Sequence, residues 1–293
     1  SETGEYERQL ESSSGADSIV TTILTVNPGF DYNEQITIKE GENYRGWEST
    51  GVYERTYITT LGCESTITTY LTVLEKIEIA KKKSSFKQKV ELIAATKTRD
   101  ISQIEQCYSL GVTSIGENRV QEIVDKFNKL PKDIEWHMIG HLQKNKVKYI
   151  SEFISLIHSL DRLSLANEID KNGKKHDKSI DCLIQIKISE EETKFGLNID
   201  ELDSFYDEVK KLNNINIVGL MGMATFTDNQ EQLKKEFLSL KSFFDTQKLR
   251  ALASNCELKI LSMGMSGDYP LAIENGSTMI RVGSSIFGNR NYY

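Results

Sequence analysis

Val90-Glu91-Leu92-Ile93-Ala94-Ala95-Thr96 is a short, nearly continuous apolar run that ends on Lys97. Apolar residues in succession, rather than in alternation, are the pattern of a parallel strand covered on both faces. A lysine at the end of such a strand carries its amine to the mouth of a barrel or sheet. Most lysines are solvated charges, so the meaning of Lys97 depends on the segments downstream of it.

Seven more strand-like segments lie there, giving predicted strands at 89–97, 113–117, 134–139, 155–160, 180–188, 215–223, 257–263 and 278–282. Amphipathic stretches lie between them at Ile101 to Leu110, Val120 to Leu130, Leu163 to Lys171, Ile199 to Leu212 and Glu231 to Leu249. Asp100, Asn198 and Asp228 are placed as N-caps, where a short side-chain oxygen accepts from the first turn. Eight βα units in about 220 residues predict an α/β fold of the (β/α)8 TIM barrel class. A doubly wound open sheet is the alternative, but it would carry a Gly-rich turn after its first strand. Here that turn is Thr96-Lys97-Thr98-Arg99-Asp100.

In a barrel the site lies at the strand C-termini, and phosphate sits on the loops after strands seven and eight. Strand seven ends Leu261-Ser262-Met263-Gly264-Met265-Ser266-Gly267-Asp268, and strand eight Arg281-Val282-Gly283-Ser284-Ser285-Ile286-Phe287-Gly288. Glycines admit an anion close to the backbone, serine hydroxyls donate to it, and a helix beginning near Ser284 would add its dipole. A lysine and an anion site at one barrel mouth point to pyridoxal phosphate.

The segments resemble the pyridoxal phosphate homeostasis proteins, a family built like the barrel domain of alanine racemase. The resemblance runs from about Leu74 to Tyr293. Its motifs are Ala94-Ala95-Thr96-Lys97-Thr98, Gly116-Glu117-Asn118-Arg119-Val120-Gln121-Glu122, Trp136-His137-Met138-Ile139-Gly140-His141-Leu142-Gln143-Lys144-Asn145-Lys146, His158-Ser159-Leu160-Asp161, Lys194-Phe195-Gly196, Gly219-Leu220-Met221-Gly222-Met223, Leu261-Ser262-Met263-Gly264-Met265-Ser266 and Arg281-Val282-Gly283-Ser284. The resemblance implies a barrel of the alanine racemase N-terminal type. It also implies that Lys97 carries pyridoxal 5'-phosphate as an internal aldimine, with Asn118 beside the ring. By the same carry-over, Ser262, Gly283 and Ser284 bind the phosphate and Arg281 faces the pyridine nitrogen. His137 is assigned to the ring-side wall. Met263 joins the cofactor-binding set as a strand-end methionine, a position that core packing also explains. An arginine can only donate, so it would hold the ring nitrogen unprotonated and weaken the electron sink.

Racemisation needs an acid/base group on each face of the substrate. In alanine racemase the second is a tyrosine from a C-terminal β domain, whereas this chain stops at Tyr293, just after strand eight. The expected role is therefore homeostasis: binding the cofactor and delivering it to apo-enzymes, with no turnover required. The alternative is an amino-acid racemase or lyase that recruits His137 or Tyr108 as internal base. A third reading is a surface adhesion module acting through the N-terminal residues.

Those residues, 1–73, are rich in Thr, Ser, Glu and Tyr, and alternate as in Ile19-Val20-Thr21-Thr22-Ile23-Leu24-Thr25-Val26. Shifted by 47 positions, Thr3-Gly4-Glu5-Tyr6-Glu7-Arg8 aligns with Thr50-Gly51-Val52-Tyr53-Glu54-Arg55, and Gly15 to Val26 with Gly62 to Val73. The segment resembles the Thr-rich β repeats of large secreted surface proteins of gliding bacteria. The expected domains are a β-rich module over 1–73 and a barrel over 74–293, which opens with a helix from Leu74 to Ser84.

A net charge of -7 argues against a nucleic-acid surface, because binding phosphates on that scale needs a basic stripe. No apolar run approaches the roughly 20 residues that cross a bilayer. Cys63, Cys107, Cys182 and Cys256 form no CxxC pair, consistent with a reduced, cytoplasmic and monomeric barrel. His137 and His141 share a strand face, yet no third ligand stands at a telling spacing, so no metal is expected.

Overall fold

A computed structural model of the chain describes residues 4–11, 17–24, 31–38, 51–58, 66–189, 191, 195–249 and 255–288. The chain divides after Ser65 into two compact units. In the first, β1 (Gly4–Glu11) pairs antiparallel with β2 (Asp17–Leu24), and β3 (Asp31–Ile38) with β4 (Gly51–Ile58). Strands β1 and β4 start 47 residues apart, at equivalent points of the two repeats.

The second half of the repeat behaves differently in its two copies. Residues 17–24 form β2, whereas their counterparts from Thr66 onward belong to helix α1 (Thr66–Lys83). The expected boundary at 73/74 thus falls inside a helix, and the helix expected from Leu74 starts eight residues earlier. The cause is packing. Tyr70, Val73, Ile77 and Ala80 recur at helical spacing and are buried with Ala94, Cys107, Tyr269, Ile273, Ile280 and Ile286.

The second unit contains all eight predicted strands: β5 (Glu91–Ala95), β6 (Ser114–Glu117), β7 (Glu135–Met138), β8 (Leu156–Leu160), β9 (Ile180–Ile186), β10 (Ile215–Gly222), β11 (Cys256–Met265) and β12 (Met279–Val282). They form a closed parallel barrel, with β12 returning to β5 from Met279↔Glu91 to Val282↔Ala94. Helices α2 (Ile101–Ser109), α3 (Val120–Phe127), α4 (Leu163–Lys175), α5 (Leu202–Val209), α6 (Gln230–Leu249), α7 (Tyr269–Glu274) and α8 (Ser284–Phe287) lie between or after the strands. Ile93, Leu156, Leu183, Met221 and Met279, from five strands, form one cluster that fills the barrel. A larger cluster, including Ile104, Ile123, Trp136 and Phe237, joins the strands to the helices.

Two local signals hold and two move. Asp100 caps α2 by accepting from Gln103 N–H at 2.9 Å, and the Glu201 carboxylate accepts from Asn198 N–H at 2.8 Å. Asp228 does not cap α6. The helix begins at Gln230, so Asn229 is the residue whose side-chain oxygen accepts from Glu231 and Gln232, both at 3.2 Å. Strand β11 runs on to Met265, two residues beyond its predicted end. Cys107, Cys182 and Cys256 are buried free thiols, and Cys63 lies outside the described residues. Among the described residues no helix is long and apolar enough to cross a membrane.

Candidate functional site

At the C-terminal ends of the strands lies a cavity of about 550 Å³, within the range of small-molecule sites. Lys97, Asn118, Arg281, Gly283 and Ser284 line it, which brings five of the eight expected site residues together. Met223, Thr225, Met265, Ser266 and Asp268 line it as well.

Lys97 stands on a turn that its neighbours hold in place. Thr98 has φ +62, a conformation a β-branched residue rarely takes and one that persists only under external constraint. The Glu122 carboxylate supplies that constraint by accepting from Thr98 N–H at 2.8 Å. Beneath the turn, Lys126 Nζ donates to Thr96 O at 2.9 Å and to Glu117 Oε1 at 2.6 Å, while Thr96 Oγ1 donates to the same carboxylate oxygen at 2.5 Å. Glu117 is completely buried; burial raises its carboxyl, against the opposing pull of the Lys126 ammonium. The motif Gly116-Glu117-Asn118 therefore does two jobs: Glu117 anchors the lysine turn and Asn118 faces the cavity. Removing one partner of a buried pair leaves the other charge uncompensated. Lys126→Met is expected to cost roughly 3 kcal/mol, read as a lowered urea midpoint.

Arg281 forms part of the cavity wall although its relative exposure is only 5%. Burial lowers its guanidinium to about 10, with the Asp268 charge acting in the opposite sense, so it is still cationic at neutral pH. Arg281 Nη1 donates to Ser262 Oγ at 2.5 Å, and Nη2 donates to Gly222 O at 3.2 Å. From Ser262 the contacts continue inward. Its hydroxyl lies 3.3 Å from His158 Nδ1, and His158 Nε2 lies 3.0 Å from His137 Nδ1. A polar chain thus crosses the barrel interior from Arg281 to β7. Burial lowers both histidines, His137 to about 4, so both rings are neutral beside the guanidinium.

This chain of contacts contains two of the three expected site residues that do not line the cavity. His137 and Ser262 are interior members of it, and Met263 packs in the core between strands and helices. The reason is the extra length of β11: with the strand continuing to Met265, positions 262 and 263 lie below the mouth. The serine that reaches the rim is Ser266. Its hydroxyl accepts from Gly283 N–H at 3.0 Å, and Ser285 Oγ donates to Ser266 O at 3.1 Å, which ties the two Gly/Ser turns together.

Other candidates lie elsewhere. Tyr108 donates to Asp133 on an exposed part of α2, and His141 pairs with Asp161 at 3.4 Å and stacks on Phe195. Lys194 lies outside the described residues. Gly140 passes so close to the site loop that a Cβ there would lie 2.4 Å from Asn118 O.

The alanine racemase N-terminal domain family matches residues 74–291 of the chain. The pyridoxal phosphate homeostasis protein of Aquifex aeolicus is 39% identical over 222 residues, which cover 75% of this chain and 96% of that protein. Its namesake from Haemophilus influenzae is 37% identical over 224 residues, covering 75% and 94%. PipY of Synechococcus elongatus, solved with PLP bound, aligns at TM-score 0.62 and 32% identity over 73% of this chain and all of that one. An alanine racemase of Clostridium difficile, at 14% identity and TM-score 0.59, covers 78% of this chain and 57% of its own, and is similar in fold alone.

Proposed function

This chain belongs to the alanine racemase N-terminal domain family and, within it, to the pyridoxal phosphate homeostasis proteins, and on that premise we propose that it binds pyridoxal 5'-phosphate on Lys97 and delivers it to other proteins. The observation that carries the reading is the meeting of Lys97, the buried Arg281 cation and a Gly/Ser rim around one cavity. These residues fit the group. A primary amine suits an aldehyde, a buried guanidinium favours an anionic or acceptor-rich ligand over solvent, and the rim around Ser266, Gly283 and Ser284 suits a phosphate. Lys97 would hold the cofactor through its amine, and the cofactor would supply an aldehyde carbon electrophilic toward that amine.

The remaining steps belong to the protein. Glu122 and the Glu117–Lys126 pair hold the turn from which Lys97 reaches the cavity. Arg281, which can only donate, would leave a ring nitrogen held against it unprotonated and so would disfavour carbanion chemistry. His137 and Tyr108, the two internal bases that turnover would recruit, are respectively sealed in the barrel interior and bonded to Asp133 outside it. That separation supports binding and delivery over racemase or lyase activity. The reading extends to a cytoplasmic monomer whose recipients are apo-enzymes.

The test is transfer. The full chain is loaded with pyridoxal phosphate, freed of excess, and mixed with the apo form of an enzyme that uses the cofactor. Reactivation is compared with that from an equal concentration of free cofactor, and L- and D-amino acids are followed in parallel. The expected result is reactivation with every amino acid unchanged. Racemised or consumed amino acid would replace the carrier reading by the enzymatic one, and failure to reactivate would remove delivery.

A further inference from the structure

The opposite end of the barrel carries a second constellation, none of whose members lines the cavity at the mouth. Glu91, Ser114 and Glu135 are the first residues of the adjacent strands β5, β6 and β7. Glu91 lies two residues before Ile93, which faces the barrel interior, and Glu135 two residues before His137. Strand alternation therefore turns both glutamates inward at the N-terminal end, where the Ser114 hydroxyl meets them. One Ser114 hydroxyl stands 3.0 Å from Glu91 Oε1 and 3.2 Å from Glu135 Oε2. A single hydroxyl proton cannot satisfy two carboxylates. Burial, followed after the opposing Ser114 bond by the Glu135 charge, holds the Glu91 carboxyl above its usual range.

His137 supplies an independent sign. Its Nδ1 is committed to His158 Nε2 at 3.0 Å, whereas its Nε2 is buried and without a hydrogen-bond partner, in a residue only 3% exposed. One ligand atom each from Glu91, Glu135 and His137 lie within 4.8 Å of one another.

We propose that Glu91, Glu135 and His137 form a binding site for a divalent first-row cation of the zinc class at the N-terminal end of the barrel. One imidazole and two carboxylates are an established donor set for zinc, with a fourth position left for water. The two carboxylate charges balance the cation. Zinc-to-ligand distances near 2.0–2.2 Å require the donor atoms to draw together slightly, and both glutamates are exposed enough to rotate and to admit an ion from solvent. Nδ1–H of His137, donated to His158, would then be the outer hydrogen bond that orients a metal-bound imidazole. Spacing along the chain hides this set: His137 and His141 diverge, and the remaining ligands come from the starts of two different strands.

The test uses the full chain stripped with chelator and dialysed against zinc chloride, with bound metal counted by mass spectrometry. Cobalt(II) substitution then reports the coordination from its visible spectrum. The expected result is one zinc per chain, with affinity falling at least about tenfold in Glu91→Gln and in Glu135→Gln. These exposed positions can change without unfolding the barrel, which circular dichroism would check. No retained zinc, or equal retention in the Glu91→Gln, Glu135→Gln double variant, would overturn the site.

Discussion

Lys97→Ala is expected to abolish the visible absorption that develops when the native chain is titrated with pyridoxal phosphate, and to weaken cofactor binding at least ~100-fold, roughly 3 kcal/mol. The substitution removes the amine and leaves the residues that hold its turn. Lys97 is half-buried at the mouth, and the turn beneath it is held by Thr96, Glu117, Glu122 and Lys126, all of which stay. A urea midpoint measured on the same variant separates loss of chemistry from loss of fold. Arg281, Ser266 and Gly283 still line the cavity, so weak non-covalent binding should persist and be competed by inorganic phosphate. Borohydride reduction and peptide mapping give the second reading: the label should lie on Lys97 in the native chain. An undiminished band in the variant would transfer the covalent role to another lysine and withdraw the assignment.

The place of Lys97 at the mouth was legible because its signal is local: a continuous apolar run, then a lysine, on a strand whose C-terminal end must face the mouth. Asn118, Arg281, Gly283 and Ser284 were legible for the same reason, each standing at or just past a strand end. Ser262 and Met263 lie below the mouth because the strand that carries them runs past its expected end, and a strand's end is its least legible feature. Two more residues in β11 turn one mouth serine into an interior hydrogen-bonding group and leave Ser266 at the rim. The His137–His158–Ser262–Arg281 chain draws on four strands far apart in sequence, and no periodicity announces it. Thr225 reaches the cavity just beyond β10 and carries no motif that would single it out.

The N-terminal repeat shows the limit of composition more sharply. Thr21-Thr22-Ile23-Leu24-Thr25-Val26 and Thr68-Thr69-Tyr70-Leu71-Thr72-Val73 are nearly the same text, yet the first copy contributes to β2 and the second lies in α1. Intrinsic preferences of these residues differ between helix and strand by only tenths of a kcal/mol each. The residues C-terminal to each copy decide the outcome. The first copy meets Asn27-Pro28-Gly29, which cannot continue a helix. The second runs into Leu74-Glu75-Lys76-Ile77, and the apolar stripe begun by Ile77 and Ala80 extends back through Val73 to Tyr70. Burial of that stripe outweighs the β composition.

Gly219→Ala should be the most destabilising single-methyl change at any of these glycines, at about 4 kcal/mol or more, because the obstacle is backbone. A Cβ at Gly219 would lie 1.9 Å from Ile260 O and 2.7 Å from Ile260 C. The pairing of β10 with both β9 and β11 shifts register between Ile217 and Gly219, which brings β11 against this position. Neither strand can retreat: each is hydrogen-bonded on both sides in a closed barrel, so relief at one seam strains the next. Gly222 is the control within the same motif. Its added Cβ would meet Leu240 Cδ2 at 2.6 Å and Ile188 Cδ1 at 2.8 Å, both ends of flexible side chains. Those can move aside, so Gly222→Ala should cost only about 1–2 kcal/mol. Gly267, with nothing within 4 Å of such a Cβ, should tolerate alanine nearly unchanged. Urea midpoints of the three variants, at a common slope, give the order directly. A midpoint for Gly219→Ala equal to that for Gly222→Ala would mean that the two strands do not approach as closely as described, and that this glycine is present for some reason other than backbone contact.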